Sequence, residues 1–253
     1  MRVAVAGGTG VAGGYVVDAA RDRGHDVVVI SRSSGVDLLA GPTVDAALEG
    51  CDVVIDASNV ATIRRRKALA FFEASARNLQ RSARRQGVGH VVVLSIAGVD
   101  RLRSIGYYDA KVTQERLHLA GPVDTTVVRS TQFHEFALQA AARGSVGPVA
   151  LVPSLLVRTV AARAVAEQLV ELAEGEPVRG RAPDIAGPGP AVRLPTRTRE
   201  ALDRAGSRTR VVPLPLMGPA GRAIGAGALL GATDAMILGP AFEAWIDGPD
   251  FPR

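Results

Sequence analysis

The chain has 253 residues, 47% of them hydrophobic, and a net charge of +5, enough for one large α/β domain with its own core. Its single cysteine, Cys51, excludes an intrachain disulfide and any multi-cysteine metal site, and fits a reducing cytoplasm. The four apolar residues after Arg2 are too few for a secretory leader, and the Gly/Ala/Leu-rich run 223–232 falls short of the about 20 residues a bilayer requires, so a soluble, cytoplasmic protein with no membrane partner is expected.

Residues 2–14 read Arg-Val-Ala-Val-Ala-Gly-Gly-Thr-Gly-Val-Ala-Gly-Gly. The pattern predicts a strand over 3–6, a glycine turn, and a helix over 11–23 that ends at Gly24. Further strands are predicted over 27–31, 53–56, 91–94 and 126–129, with a short third strand at 36–38. Helices are predicted over 43–48, 63–86 and 107–120. Continuous apolar strands separated by helices imply a parallel sheet covered on both faces. The expected fold is therefore α/β, a Rossmann-type doubly wound sheet.

Beyond residue 130 the pattern loosens. Helices are expected over 133–143, 160–174 and 196–205, separated by Gly/Pro-rich stretches. The apolar, glycine-rich segment 213–239 reads either as a cover over a substrate pocket or as an irregular surface layer. The expected organisation is one NAD(P)-binding domain over 1–253, with a cofactor-binding core over 1–130 and a smaller substrate-covering region over 131–253.

Arginine supplies nearly all the positive charge. Arg64, Arg65, Arg66, Lys67, Arg77, Arg81, Arg84 and Arg85 concentrate in the 63–86 helix. Phe71, Phe72 and Leu79 provide its apolar side, so the arginines form a solvated face. Aromatic content of 4% leaves few stacking platforms and disfavours nucleic acid as a partner.

Gly8, Gly10 and Gly13 satisfy G-x-G-x-x-G, and Gly7, Gly10 and Gly13 the wider G-x-x-G-x-x-G. Between a strand and a helix such glycines seat a pyrophosphate. An NAD site places an acid at the end of the second strand, to bond the ribose 2′-hydroxyl. Here that strand runs into Ser31-Arg32-Ser33-Ser34. Arg32, helped by Ser31 or Ser33, suits a 2′-phosphate, so the expected cofactor is NADP(H). Asp37 is placed near the adenine edge.

Tyr107 and Lys111 are four residues apart and share a helix face. Ser95 ends the strand twelve residues earlier. The three suit carbonyl reduction, with Tyr107 as proton donor and Ser95 on the substrate oxygen. Tyrosine's free pKa near 10 would have to fall by about two to three units, which takes roughly 3–4 kcal/mol. An ammonium at ~4 Å and an effective dielectric of ~20 supplies about 4 kcal/mol, so Lys111 is sufficient in principle. Tyr108 competes for the acid role but lacks the spacing to Lys111.

These elements resemble the short-chain dehydrogenase/reductase superfamily, in its atypical NmrA-like branch. The matching segments are Gly-Gly-Thr-Gly-Val-Ala-Gly at 7–13, Asp-Ala-Ser-Asn at 56–59, Leu-Ser-Ile-Ala-Gly-Val-Asp at 94–100, Tyr-Tyr-Asp-Ala-Lys at 107–111 and Arg-Ser-Thr-Gln-Phe-His-Glu-Phe at 129–136. The late segments 161–166 and 242–245 are similar too. The resemblance implies that Gly8, Thr9, Gly10, Val11 and Ala12 cradle the pyrophosphate and that Ala57, Ser58 and Asn59 line the adenosine side. It also implies that Lys111 bonds the nicotinamide ribose, that Arg129, Ser130 and Thr131 approach the nicotinamide, and that Gln132 and His134 face a small-molecule substrate. Some members of the branch have lost the tyrosine and act as redox sensors with a protein partner. This chain keeps serine, tyrosine and lysine.

His25, His90 and His118 are assigned to turns or helix surfaces, without a role. No metal-ligand spacing and no Gly-x-Ser-x-Gly elbow is present. The leading expectation is an NADPH-dependent reductase of a carbonyl or quinone-like molecule. The alternatives are a silent NADP(H)-binding regulator, or an epimerase or dehydratase that keeps its cofactor. Substrate identity and oligomeric state are open at this level.

Overall fold

The computed structural model describes residues 1–62 and 64–252. The first half alternates as expected. Strands β1 (Arg2–Ala6), β2 (Asp26–Ile30), β3 (Val53–Asp56), β4 (His90–Ile96) and β5 (Thr125–Ser130) alternate with helices α1 (Val11–Asp22), α2 (Gly41–Ala47), α3 (Arg65–Gln86) and α4 (Gly106–Leu119). The strands pair in the order β5-β4-β3-β1-β2, all parallel, with Val3 opposite both Val27 and Val53. Each strand is apolar on both sides because each side is covered. Val3, Val5, Ile55 and Val92 pack toward α1, while Ala4, Val54, Val91 and Val93 pack toward α2 and α3.

Helix α3 buries Ala68, Phe72, Ala76, Leu79 and Ala83 along one stripe, each large side chain contributing about 1.5–3 kcal/mol. Its arginines are exposed, as the charge pattern predicts. Ile63, the expected first residue of this helix, lies outside the described residues.

The expected strand at 36–38 does not form. Ser31 and Ser34 bond each other's backbone in a capping box around a 3-10 turn at Arg32–Ser34, and Asp37 accepts the Leu39 N–H at 2.9 Å. Short polar side chains here outcompete strand pairing for the backbone.

The second half is built from smaller pieces. In chain order they are α5 (Phe136–Gly144), β6 (Ser145–Val146), β7 (Val149–Pro153), β8 (Leu156–Val157), α6 (Ala162–Glu174), β9 (Gly180–Arg181), β10 (Ile185–Ala186), β11 (Val192–Arg193), α7 (Leu194–Arg204), β12 (Arg210–Leu214), α8 (Gly218–Gly225), β13 (Met236–Ile237) and α9 (Phe242–Ile246). Strands β9, β10 and β13 extend the main sheet beyond β5, and α6 joins α1 on one face. Helices α5 and α6 start later than predicted because Phe133 is held in a bridge with a turn at 134–135 before α5, and Ala161 before α6 is extended. Phe133 bridges Val160, and the Val160 N–H bonds the Gln132 carbonyl at 3.0 Å.

Segment 213–239 is not one layer. It contains the end of β12, then α8, a turn region and β13. Ala228 and Leu229 are buried against the loop after β4: a Cβ on Gly98 (φ +70°) would collide with the Ala228 carbonyl. That seat lies beside the end of β4. Among the described residues no helix is long and apolar enough to cross a membrane.

Candidate cofactor and active site

The glycine turn is held by its own backbone. Gly7 takes φ +76°, its N–H bonds the Ile30 carbonyl at 2.9 Å, and the Gly10 N–H bonds the Gly7 carbonyl at 2.9 Å. A Cβ on Gly7 would sit 2.8 Å from Ser58 Cα, and one on Gly13 would run into the Gly7 carbonyl. The turn is thus pressed against both the start of α1 and the segment after β3, and only glycine fits. Gly10 caps α1 without a side-chain bond, and no acid stands in the first turn. The N–H groups of Val11, Ala12 and Gly13 have no intrahelical acceptor and carry the positive end of the helix dipole. Thr9, Gly10 and Val11 are exposed. This cradle fits a diphosphate.

At the end of β2 the capping box fixes the Ser31–Ser34 turn and leaves Arg32 exposed, in no ion pair among the described residues. Ser31 Oγ lies 2.9 Å from Ser33 Oγ. Asp37 is exposed and committed to its local turn.

Three neighbouring strand ends carry hydroxyls with nothing to bond. Ser58 Oγ follows β3, Ser95 Oγ lies in β4 and Thr131 Oγ1 follows β5; each is buried without a partner among the described residues, as is Gln132 Oε1. A buried unsatisfied polar atom costs about 1–3 kcal/mol, so a row of them beside the glycine cradle fits a polar ligand laid across the strand ends. Ala57 is half-buried beside this row. The residues present therefore fit a nicotinamide dinucleotide.

Tyr107 and Lys111 share α4, as their spacing predicts, but they are not engaged with each other. The Tyr107 hydroxyl donates to Asn59 Oδ1 at 2.9 Å. Lys111 is 4% exposed; its Nζ donates to the Leu94 carbonyl at 2.9 Å and to Gln114 Oε1. Burial pushes the Tyr107 phenol up to about 12, only partly opposed by Asn59. Burial also brings Lys111 down to about 8, against the pull of Asp56 and Glu115. The expected lowering of the phenol by the ammonium is absent: Lys111 faces the interior. Tyr108 packs into the second-half core with Ile105.

Lys111 belongs to a buried chain that the sequence reading missed. Gln114 Nε2 donates to Asp56 Oδ2 at 2.8 Å, and His118 Nε2 lies 3.1 Å from the same oxygen. Burial acts to raise Asp56, but the His118 bond and charge, Ser58 and Lys111 outweigh it and hold the carboxyl low. His118 is fully buried, not on a helix surface, and His90 is buried with Nε2 2.9 Å from Thr126 Oγ1. The available signal was the spacing 111, 114, 118, which marks one helix face.

The segment after β5 divides. Ser130 and Thr131 stay at the strand end, the Thr131 N–H bonding the Ile185 carbonyl at 2.9 Å. Arg129 is held by Glu115 at 2.8 and 2.9 Å and by Asp100 at 3.0 Å, so its guanidinium is already paired. His134 is a core residue rather than a substrate contact. It is fully buried, with Nδ1 2.7 Å from Thr159 Oγ1, Nε2 3.1 Å from the Pro240 carbonyl, and its ring against Phe242 and Trp245. Burial brings it down to about 4, so it is neutral.

Known proteins share parts of this arrangement. A photosystem II assembly factor of Synechocystis sp. is 31% identical over 150 residues, 53% of this chain and 45% of that protein, so the matched stretch spans under half of the relative's length. UDP-glucose 4-epimerase of Thermus thermophilus, solved with NAD, superposes with a TM-score of 0.66 at 16% identity, covering 84% of this chain and 86% of that one. The NADPH-dependent quinone oxidoreductase of Escherichia coli, solved with NADPH, gives 0.69 at 16% identity, covering 97% and 98%. Residues 3–99, which hold the glycine cradle, Arg32 and the Ser58 and Ser95 strand ends, match the model of the NAD dependent epimerase/dehydratase family, and the whole chain has the Rossmann-type fold of these NAD(P)-binding epimerases and reductases.

Proposed function

We propose that the chain is an NADPH-dependent oxidoreductase acting on a small molecule with a carbonyl or quinone-like group. The observation that carries this reading is the row of buried, unpartnered hydroxyls at Ser58, Ser95 and Thr131 beside the glycine cradle. The cofactor, when bound, supplies a hydride. The Val11, Ala12 and Gly13 N–H groups hold its diphosphate, and Arg32, with Ser31 and Ser33, holds the 2′-phosphate. One such charge-assisted bond is worth about 1.5–3 kcal/mol, roughly 10- to 100-fold in favour of NADPH over NADH. Ser95 bonds the substrate oxygen, and Tyr107, oriented by Asn59, donates the proton.

The electrostatics favour a quinone-like substrate over a simple ketone. The Tyr107 phenol sits at about 12 and has no ammonium at its oxygen, so it is a weak acid. A hydroquinone anion spreads its charge over a ring and needs little help from an acid. An alkoxide is a far stronger base and needs a good proton donor as it forms. The fold shared with the Escherichia coli quinone oxidoreductase supports the same choice.

The test is a titration of NADPH and NADH, followed by NADPH oxidation with quinones and aliphatic ketones. Tighter NADPH binding and turnover of quinones are expected, with Tyr107→Phe slower, but by less than the about 100-fold that a strong proton donor supplies. Equal affinities would remove Arg32 from the argument, and full activity of Tyr107→Phe would remove the proton donor. A second reading is a cofactor-binding regulator of a protein partner. It is favoured by the separation of Lys111 from the Tyr107 hydroxyl and by the stretch shared with the assembly factor. It predicts NADPH binding with no turnover on the panel. Epimerisation or dehydration, to which the family model points, predicts substrate conversion without net NADPH consumption.

A further inference from the structure

A cavity of about 370 Å³ opens between α1, α5 and the C-terminal segment. That volume is in the range of small-molecule sites. Tyr15 and Leu138 give it apolar walls, and Asp18, Glu135 and Asp250 bring three carboxyls to its lining. Glu135 is the anomaly. It is 8% exposed; Oε2 accepts the Ala162 N–H at 3.4 Å, but Oε1 is buried with no partner among the described residues.

The charges are unbalanced. Among the described residues the facing cation is Arg163 on α6, and it is already engaged, with Nε 2.8 and 2.9 Å from the Asp250 carboxylate and its guanidinium 4.8 Å over the Tyr15 ring. Among the described residues Glu135 and Asp18 have no such partner. An anion would be repelled. A neutral hydroxyl would satisfy Oε1 but leave the charge uncompensated. An ammonium satisfies both.

We propose that this cavity binds a small amine with an apolar body, its ammonium donating to Glu135 Oε1 and its body lying against Tyr15 and Leu138. The site adjoins the glycine cradle at Val11 but includes none of the strand-end hydroxyls, and stands whether or not the chain turns over NADPH. Burial pushes Glu135 up to about 7, opposed by its own backbone N–H and the Ala162 N–H, with Asp250 adding to the rise. The other groups facing it are Tyr15 and Asp18 from α1, Arg163 from α6 and Asp250 from the C-terminal segment. Binding therefore strengthens as Glu135 ionises.

The experiment is a calorimetric titration of the full chain with benzylamine and with benzyl alcohol, at about pH 6 and about pH 8. Saturable amine binding is expected, at least tenfold tighter than the alcohol, and tighter at the higher pH by roughly the tenfold rise in ionised Glu135. Glu135→Gln should lose at least tenfold while still unfolding cooperatively on heating. Leu138→Trp fills the cavity without touching the charge and should also lose binding. The proposal is overturned if no amine saturates, if alcohol and amine bind alike, if pH has no effect, or if Glu135→Gln binds as the wild type does.

Discussion

Residues 1–130 and residues 131–252 treat buried polarity in opposite ways. In the first half, interior charge is paired: Leu94 carbonyl, Lys111, Gln114, Asp56 and His118 form one chain, and Arg129 is held by Glu115. What it leaves unbonded among the described residues are neutral atoms, the Ser58, Ser82 and Ser95 hydroxyls and His90 Nδ1, with Ser58 and Ser95 side by side at the strand ends. In the second half a carboxyl, Glu135, stands at a cavity wall with one oxygen unused. The regular half offers a surface for a ligand with many polar atoms, and the irregular half a pocket with one strong polar contact. The difference teaches that long parallel strands repeat their ends side by side, whereas short pieces meet only once.

The sharpest way to break this contrast is at the glycine turn. Gly13→Ala should cost at least about 3 kcal/mol and abolish NADPH binding, because its Cβ has only the Gly7 backbone to displace. Gly14→Ala, whose Cβ would be 4.0 Å from the nearest atom, the Gly8 carbonyl oxygen, should fold normally and gain about 0.5–1 kcal/mol. Thermal melts and NADPH titrations of the pair check this.

The second half should show its strain in pH. The Glu135 carboxyl titrates at about 7 when folded, against 4.5 as its ordinary value. Between those values the folded state holds a proton that the unfolded chain has lost, so stability falls as pH rises from about 4.5 through about 7. The full loss is on the order of 3 kcal/mol. Glu135→Gln removes that slope, so its melting temperature should exceed that of the wild type above pH 7 (roughly) and match it more closely in acid. Melting curves across this range decide it.

A smaller effect is expected at Arg32. Arg32→Ala should weaken NADPH by about 10- to 100-fold and leave NADH unchanged, measured by direct titration. The smallest belongs to the solvated face of α3: Arg81→Gln should shift stability by less than about 0.5 kcal/mol, read from denaturant midpoints. A large loss there would mean that the exposed arginines do more than face water.

The same contrast governs what could be read from the chain. Strand β3 appears at 53–56 as predicted, because a fully buried strand is written as an unbroken apolar run bounded by Asp52 and Asp56. The glycine turn and the α4 register were legible for a similar reason: each follows from local spacing. The direction of Lys111 was not. Spacing places Tyr107 and Lys111 near one another on a helix, but Gln114 and His118 lie on the same interior side, and Asp56, over fifty residues away, draws the lysine inward. His134 was misjudged because its partners, Thr159, Pro240, Phe242 and Trp245, come from later segments. Strands of two residues, such as β10 and β13, carry no period at all.

The seat of Ala228 on Gly98 has an evolutionary consequence. The segment seated beside the end of β4 is registered by backbone against backbone, at a position where a side chain cannot enter. A half-buried side chain beside the seat, such as Leu230, can therefore change size or polarity without lifting that segment. A lineage could then retune the shape of its pocket by single substitutions there, keeping the cofactor half and the fit between the halves intact.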